Sequence, residues 1–136
     1  MDYFHLNADQ AQLASISNLG LAYLGDGVYE LAVRSYLCLS GKSTNKGLHK
    51  AAVGYVSAPA QAAAVKTILP CLTEAEEEVL RRGRNASPHS IPPHAKREDY
   101  TAATALETLF GWLWLRGETG RVNELFGKIM EETQWP

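Results

Sequence analysis

The chain has 136 residues, 46% of them hydrophobic, and a formal net charge of −2, which suits one domain with its own core and leaves too little for two comfortable ones. The longest apolar run near the end, residues 109–115, is far below the ~20 residues of a membrane span. The opening MDYFHLNADQ lacks the basic start and apolar run of a signal peptide and is too acidic for a transit peptide, so a soluble, cytoplasmic protein is expected.

No segment alternates with period 2, and the elements read as helices throughout. Asn7 or Asp9 can cap a short first helix, and Ser15 or Ser17 can start a long one over residues 18–39 that ends near Gly41. Apolar residues lie on almost every side of that long helix, which predicts burial. A polar connection, GKSTN, follows. A third helix starts at about Lys46 and carries Leu48, Ala51, Ala52, Tyr55 and Val56 at helical spacing. Pro59 either kinks it or sits in the first turn of a new helix capped by Ser57. The alanine-rich run to Leu69 stops at Pro70. Thr73 and Glu76 have capping-box form, and the helix they open places Glu77 before Arg81 and Glu78 before Arg82. Gly83 is expected to end it. Residues 84–97, with Pro88, Pro92, Pro93, His89 and His94, predict a long basic loop, and a loop of that length is usually functional or mobile. Glu98 and Asp99 open a strong helix through Arg116, with Gly117 beyond it. Thr119 or Gly120 leads into a last helix carrying Val122, Leu125, Phe126, Ile129 and Met130. The expectation is an all-α domain of six to seven helices.

The chemistry concentrates in the two most apolar helices. Asp26 lies between Gly25 and Gly27, and its helical neighbours Ala22, Tyr23, Tyr29 and Glu30 include no cation. Glycine costs about 0.8–1 kcal/mol relative to alanine inside a helix, so this is a poor choice for stability alone. Glu107 repeats the anomaly, with Ala103, Thr104, Phe110 and Gly111 as its neighbours. An ionised carboxylate is expensive to bury without a partner, so the two acids are expected either to converge on a metal or to find solvent or an arginine such as Arg34 on another helix. Two converging carboxylates suit Mg²⁺, which takes oxygen ligands and keeps several waters. Glu30 is either an outer-shell partner of such an ion or an exposed face residue. Residues 38–73 and 79–97 contain no acid and carry Lys42, Lys46, Lys50 and Lys66 in the first window and Arg81, Arg82, Arg84, Lys96 and Arg97 in the second. Such windows are either phosphate-binding footprints or solvated surface. Cys38 and Cys71 have no ligand spacing and read as buried, reduced thiols. Trp112 and Trp114 read as core or interface residues rather than base-stacking platforms.

Residues 21–31, LAYLGDGVYEL, resemble the ribonuclease III signature, and residues 104–111, TALETLFG, resemble that family's second acidic motif. YVSAPAQA at 55–62, RRGRNA at 81–86 and YTAATALETLFGWLWLRG at 100–117 extend the resemblance to the Mini-ribonuclease III subfamily over nearly the whole chain. The resemblance implies a single ribonuclease III-like catalytic domain over 1–136, with no separate double-stranded-RNA-binding domain. It implies a homodimeric, Mg²⁺-dependent endonuclease that cuts double-stranded RNA to leave 5′-phosphates, with precursor large-subunit ribosomal RNA as the subfamily's substrate. Asp26 and Glu107 match the catalytic, metal-binding acids, and Glu30 is a possible outer-shell group. Arg81, Arg82, Arg84, Lys96 and Arg97, then Lys46 and Lys50, are the expected RNA contacts. Ala22 and Thr104 stand where larger relatives carry two further acids, a reduction the subfamily shares, and Pro59 and Gly27 also depart from the family pattern. The alternatives are a non-catalytic RNA-binding or ribosome-associated domain of the same fold, and a helical protein–protein module.

Overall fold

Side-chain caps set most of the helix starts. In a computed structural model, which describes residues 1–41, 44–86 and 91–132, Asp9 and Gln12 close a capping box at the head of α1 (Gln10–Ser15). Ser17 accepts from the Gly20 amide at 2.9 Å to start α2 (Asn18–Leu39), and Thr44 caps α3 (Asn45–Val56). Ser57 caps α4 (Ala58–Ile68) with Pro59 in its first turn, so the proline begins a helix rather than kinking one. A 3-10 turn, Leu69–Cys71, carries Pro70. The Thr73/Glu76 box opens α5 (Glu74–Asn85). No side chain caps α6 (Arg97–Leu115), but Glu98 and Asp99 in its first turn complement the helix dipole. The last helix, α7, is Thr119–Glu132. Gly41 at φ 94° and Gly117 at φ 77° follow the ends of α2 and α6, where a left-handed residue closes the turn. Among the described residues there are seven α-helices and no strand, and no helix is long and apolar enough to cross a membrane.

The hub of the fold is α6, against which α2, α4, α5 and α7 all pack. Every residue from Ala102 to Gly111 is buried except Glu107. Tyr29 of α2 sets its ring against Phe110 of α6 and Phe126 of α7, each at 5.5 Å between centroids. Glycines let two of these crossings close. A Cβ on Gly25 would collide with the Glu107 carbonyl, and one on Gly111 with the Leu21 carbonyl, so α2 and α6 touch backbone to backbone and run antiparallel. A Cβ on Gly83 would press into Thr108 and Ala105. On the far side Arg121 of α7 pairs with Glu76 at 2.8 Å and reaches the Cys71 carbonyl, tying α5 and the 3-10 turn to the C-terminal helix. That pairing holds the Glu76 carboxyl below its ordinary range.

Four local expectations change. Helix α5 runs past Gly83 to Asn85, because the glycine serves contact with α6 rather than a helix end. Arg81 pairs with Glu78 at 2.6 Å, three residues back, instead of with Glu77. The Cys38 thiol is exposed and Cys71 half-buried. Helix α2 buries only one side, since α3, α5 and α6 cover it from that side; Tyr23, Asp26, Leu31 and Arg34 are exposed.

Candidate active site

The α2–α6 crossing determines where the two acids lie. Without a side chain at Gly25, the α6 backbone at Glu107 sits directly against α2, and the next residue on α2 is Asp26. The carboxyls of Asp26 and Glu107 consequently come within hydrogen-bonding reach. Asp26 is exposed and Glu107 half-buried. Burial first, and the Asp26 charge second, push the Glu107 carboxyl up to about 8, and the charge of Glu30 adds to this. The amide of Gln61, from α4, acts in the opposite sense.

Among the described residues no cation stands within ion-pair distance of either acid. Arg34 binds Glu30 instead, at 3.4 Å on the same helix. The pair therefore has proximity, like charge and no internal neutralisation, the condition a divalent ion relieves. No group of three or more His, Cys, Asp or Glu is arranged for a metal among the described residues. Two carboxylates remain a suitable set for an ion that keeps much of its water. The neighbouring positions add no acid: Ala22 is buried, and the Thr104 hydroxyl donates to the Tyr100 carbonyl of its own helix at 3.0 Å.

The basic residues divide. Arg81 and Arg84 lie along a surface cleft with Glu74, Glu77 and Glu78, so acids accompany them. Arg82 lines a different cleft, with Ser17, Asn18 and Arg116 at the start of α2, although its charge also reaches Glu78. Lys46, Lys50, Lys96 and Arg97 are exposed, as is His94. Lys42 and His89 lie outside the described residues. Trp112 and Trp114 are half-buried against the core, as the sequence suggests, and the Arg116 guanidinium lies 4.3 Å from the centre of the Trp112 ring.

Two residues emerge only from the packing. Arg116 reads in the sequence as a helix-end cation, yet it lines the cleft with Arg82. Gln61 is the other; its one sequence signal is an amide inside the apolar run APAQAAAV.

Comparison with known proteins agrees with the all-helical fold. The Ribonuclease III domain profile matches residues 19–118. The chain is 46% identical over 107 residues to the Mini-ribonuclease 3 of Symbiobacterium thermophilum, covering 79% of this chain and 82% of that one. It is 43% identical over 122 residues to the Mini-ribonuclease 3 of Synechocystis, covering 90% and 83%. The crystal structure of a Fusobacterium nucleatum protein superposes with a TM-score of 0.78 at 27% identity, covering 86% of this chain and 93% of that one.

Proposed function

The chain belongs to the ribonuclease III family, within its Mini-ribonuclease III group, and on that premise we propose that this endoribonuclease cuts double-stranded RNA with a divalent ion, Mg²⁺, held by Asp26 and Glu107. The observation that carries the reading is the convergence of two carboxylates from different helices with no ion-pair partner among the described residues. Mg²⁺ bound there supplies Lewis acidity toward a phosphodiester and activation of a water.

The chain's own residues do the rest. Gly25 and Gly111 fix the spacing of the two helices, and hence the separation of the carboxylates. Glu107 is the anchored member, half-buried on the hub helix, and Asp26 is the exposed one, open to an arriving duplex. Neither need serve as a free general base. Glu30, paired with Arg34 and close enough for its charge to act on Glu107, is suited to an outer-shell role. The wide minor groove of A-form RNA is recognised by shape and by phosphate and 2′-hydroxyl contacts, to which exposed Arg82, Lys46, Lys50, Lys96 and Arg97 are suited; Arg81 and Arg84 contribute less beside their acids.

The active form is a homodimer. Leu19, Tyr23 and Leu31 step along one side of α2 at four-residue intervals with Gly27 in the gap, and they are 42%, 86% and 52% exposed. An apolar stripe of this kind next to the site suits a second copy of the chain. Each subunit then cuts one strand, leaving a 5′-phosphate. The substrate that the group resemblance favours is precursor large-subunit ribosomal RNA in the cytoplasm.

Purified protein with Mg²⁺ and a long RNA duplex should release fragments. Asp26→Asn and Glu107→Gln should each abolish cutting and leave duplex binding largely intact; undiminished cleavage by both variants would overturn the site. Mapping of 5′ ends in a precursor ribosomal RNA pool, wild type against Asp26→Asn, tests the substrate.

A further inference from the structure

Gln61 is a deeply buried polar side chain beside the acidic pair. It is 2% exposed, on a helix whose start is fixed by the Ser57 cap and Pro59. Its neighbours in sequence are alanines, proline and valine, so methionine or leucine could fill the position without a polar atom. Among the described residues its Nε2 has no hydrogen-bond partner, and a buried donor left in that state costs stability. The group it approaches, across the α4–α6 interface, is the Glu107 carboxylate. A residue that is unfavourable for the fold and aimed at a metal-site carboxylate has the character of an outer-shell partner. Such partners orient first-shell ligands, and their loss commonly costs about 10–100-fold in metal affinity or activity.

We propose that Gln61 is a positioning residue of this site, its side-chain amide donating to one oxygen of the Glu107 carboxylate and so presenting the other to the divalent ion. The inference rests on the assignment of Asp26 and Glu107 as the metal ligands. It adds a third helix, α4, to a site otherwise built from α2 and α6.

The test separates positioning from packing. Gln61→Met keeps the volume and removes the amide. Its unfolding midpoint in EDTA should equal or exceed that of the wild type, because a poorly satisfied buried donor has been replaced by an apolar group. Mn²⁺ binding, followed by electron paramagnetic resonance without RNA, should weaken by about 10–100-fold. The Mg²⁺ concentration at half-maximal cleavage should rise in step, with duplex affinity in EDTA unchanged. Wild-type Mn²⁺ affinity in the folded Met variant overturns the proposal. If Gln61→Met does not fold, Gln61→Asn decides, since it keeps an amide but withdraws it by one methylene: weakened Mn²⁺ binding supports positioning, and wild-type binding refutes it. Glu107→Gln is the control for the underlying assignment. If it retains wild-type Mn²⁺ affinity, the ligand assignment fails, whatever Gln61→Met does.

Discussion

Glu107 is pulled two ways. Its burial and the Asp26 charge favour the proton, whereas metal binding requires the carboxylate, and the first influence has a consequence for stability that needs no RNA to observe. In metal-free protein the Glu107 carboxyl titrates at about 8, and in the unfolded chain it returns to the ordinary range of about 4.3. Below that range both states hold the proton and the group is neutral to folding. Between the two values the unfolded chain has lost its proton while the folded chain keeps it, so stability falls as pH rises, by at most about 1.4 kcal/mol per pH unit and less where solvent screens the site. Above about 8 the slope vanishes. Glu76, held low by Arg121, acts in the opposite sense, losing its contribution as pH falls through acid, so only a difference between variants isolates Glu107. Urea unfolding in EDTA from about pH 5 to about pH 9 should show wild type losing stability relative to Glu107→Gln. Asp26→Asn should shrink that loss by removing the second-largest cause of the shift. Parallel curves for wild type and Glu107→Gln would mean that the carboxyl does not hold its proton in the folded chain.

Glycines on α2 make opposite predictions although one residue separates them. A methyl at Gly25 has nowhere to go against the α6 backbone, so Gly25→Ala must spread the helices; overpacking of that kind costs roughly 1–3 kcal/mol and moves Asp26 from Glu107. A methyl at Gly27 meets nothing within 4 Å, so Gly27→Ala should gain up to about 1 kcal/mol of helix propensity. Denaturant midpoints should move apart in those directions, and a Gly25→Ala protein as stable as wild type would contradict the crossing. The same contrast shows where sequence reading reaches its limit. Caps such as Ser57 ahead of Pro59 and Thr73 with Glu76 are legible because the bonds they make span three residues. The acids stood out for an equally local reason, the absence of any cation in helical reach. Gly83 misled, because a glycine after two arginines looks like a helix end, and only the pressure of Thr108 and Ala105 from another helix reveals its purpose. The exposure of Asp26 and Cys38, and the aim of Gln61, depend likewise on which side of a helix its neighbours leave open. Composition and spacing within one helix carry no record of that.

Across the whole molecule, 15 acids outnumber 13 lysines and arginines, so a duplex cannot be held by net charge and the local arrangement has to do it. The arginines of α5 show what arrangement means. Arg81 is committed to Glu78 at 2.6 Å, and Arg84 shares its cleft with Glu74, Glu77 and Glu78, so a phosphate approaching them meets acids as well. Arg82, one residue from Arg81, lines a cleft with Ser17, Asn18 and Arg116 that holds no acid among the described residues. Each lysine or arginine that neutralises a phosphate releases counterions, and removing it flattens the plot of log affinity against log salt by about one unit. Duplex binding measured over a series of salt concentrations in EDTA should therefore separate neighbours on one helix. Arg82→Ala should weaken binding and lower the salt slope, as should a Lys96→Ala, Arg97→Ala double variant at the start of α6. Arg81→Ala should change the slope little, because it also frees Glu78 and leaves the local charge no more favourable to phosphate than an exposed carboxylate allows. Equal slope losses at Arg81 and Arg82 would mean that the RNA covers both sides of α5, and that the acids of its first turns are turned away or neutralised when it does.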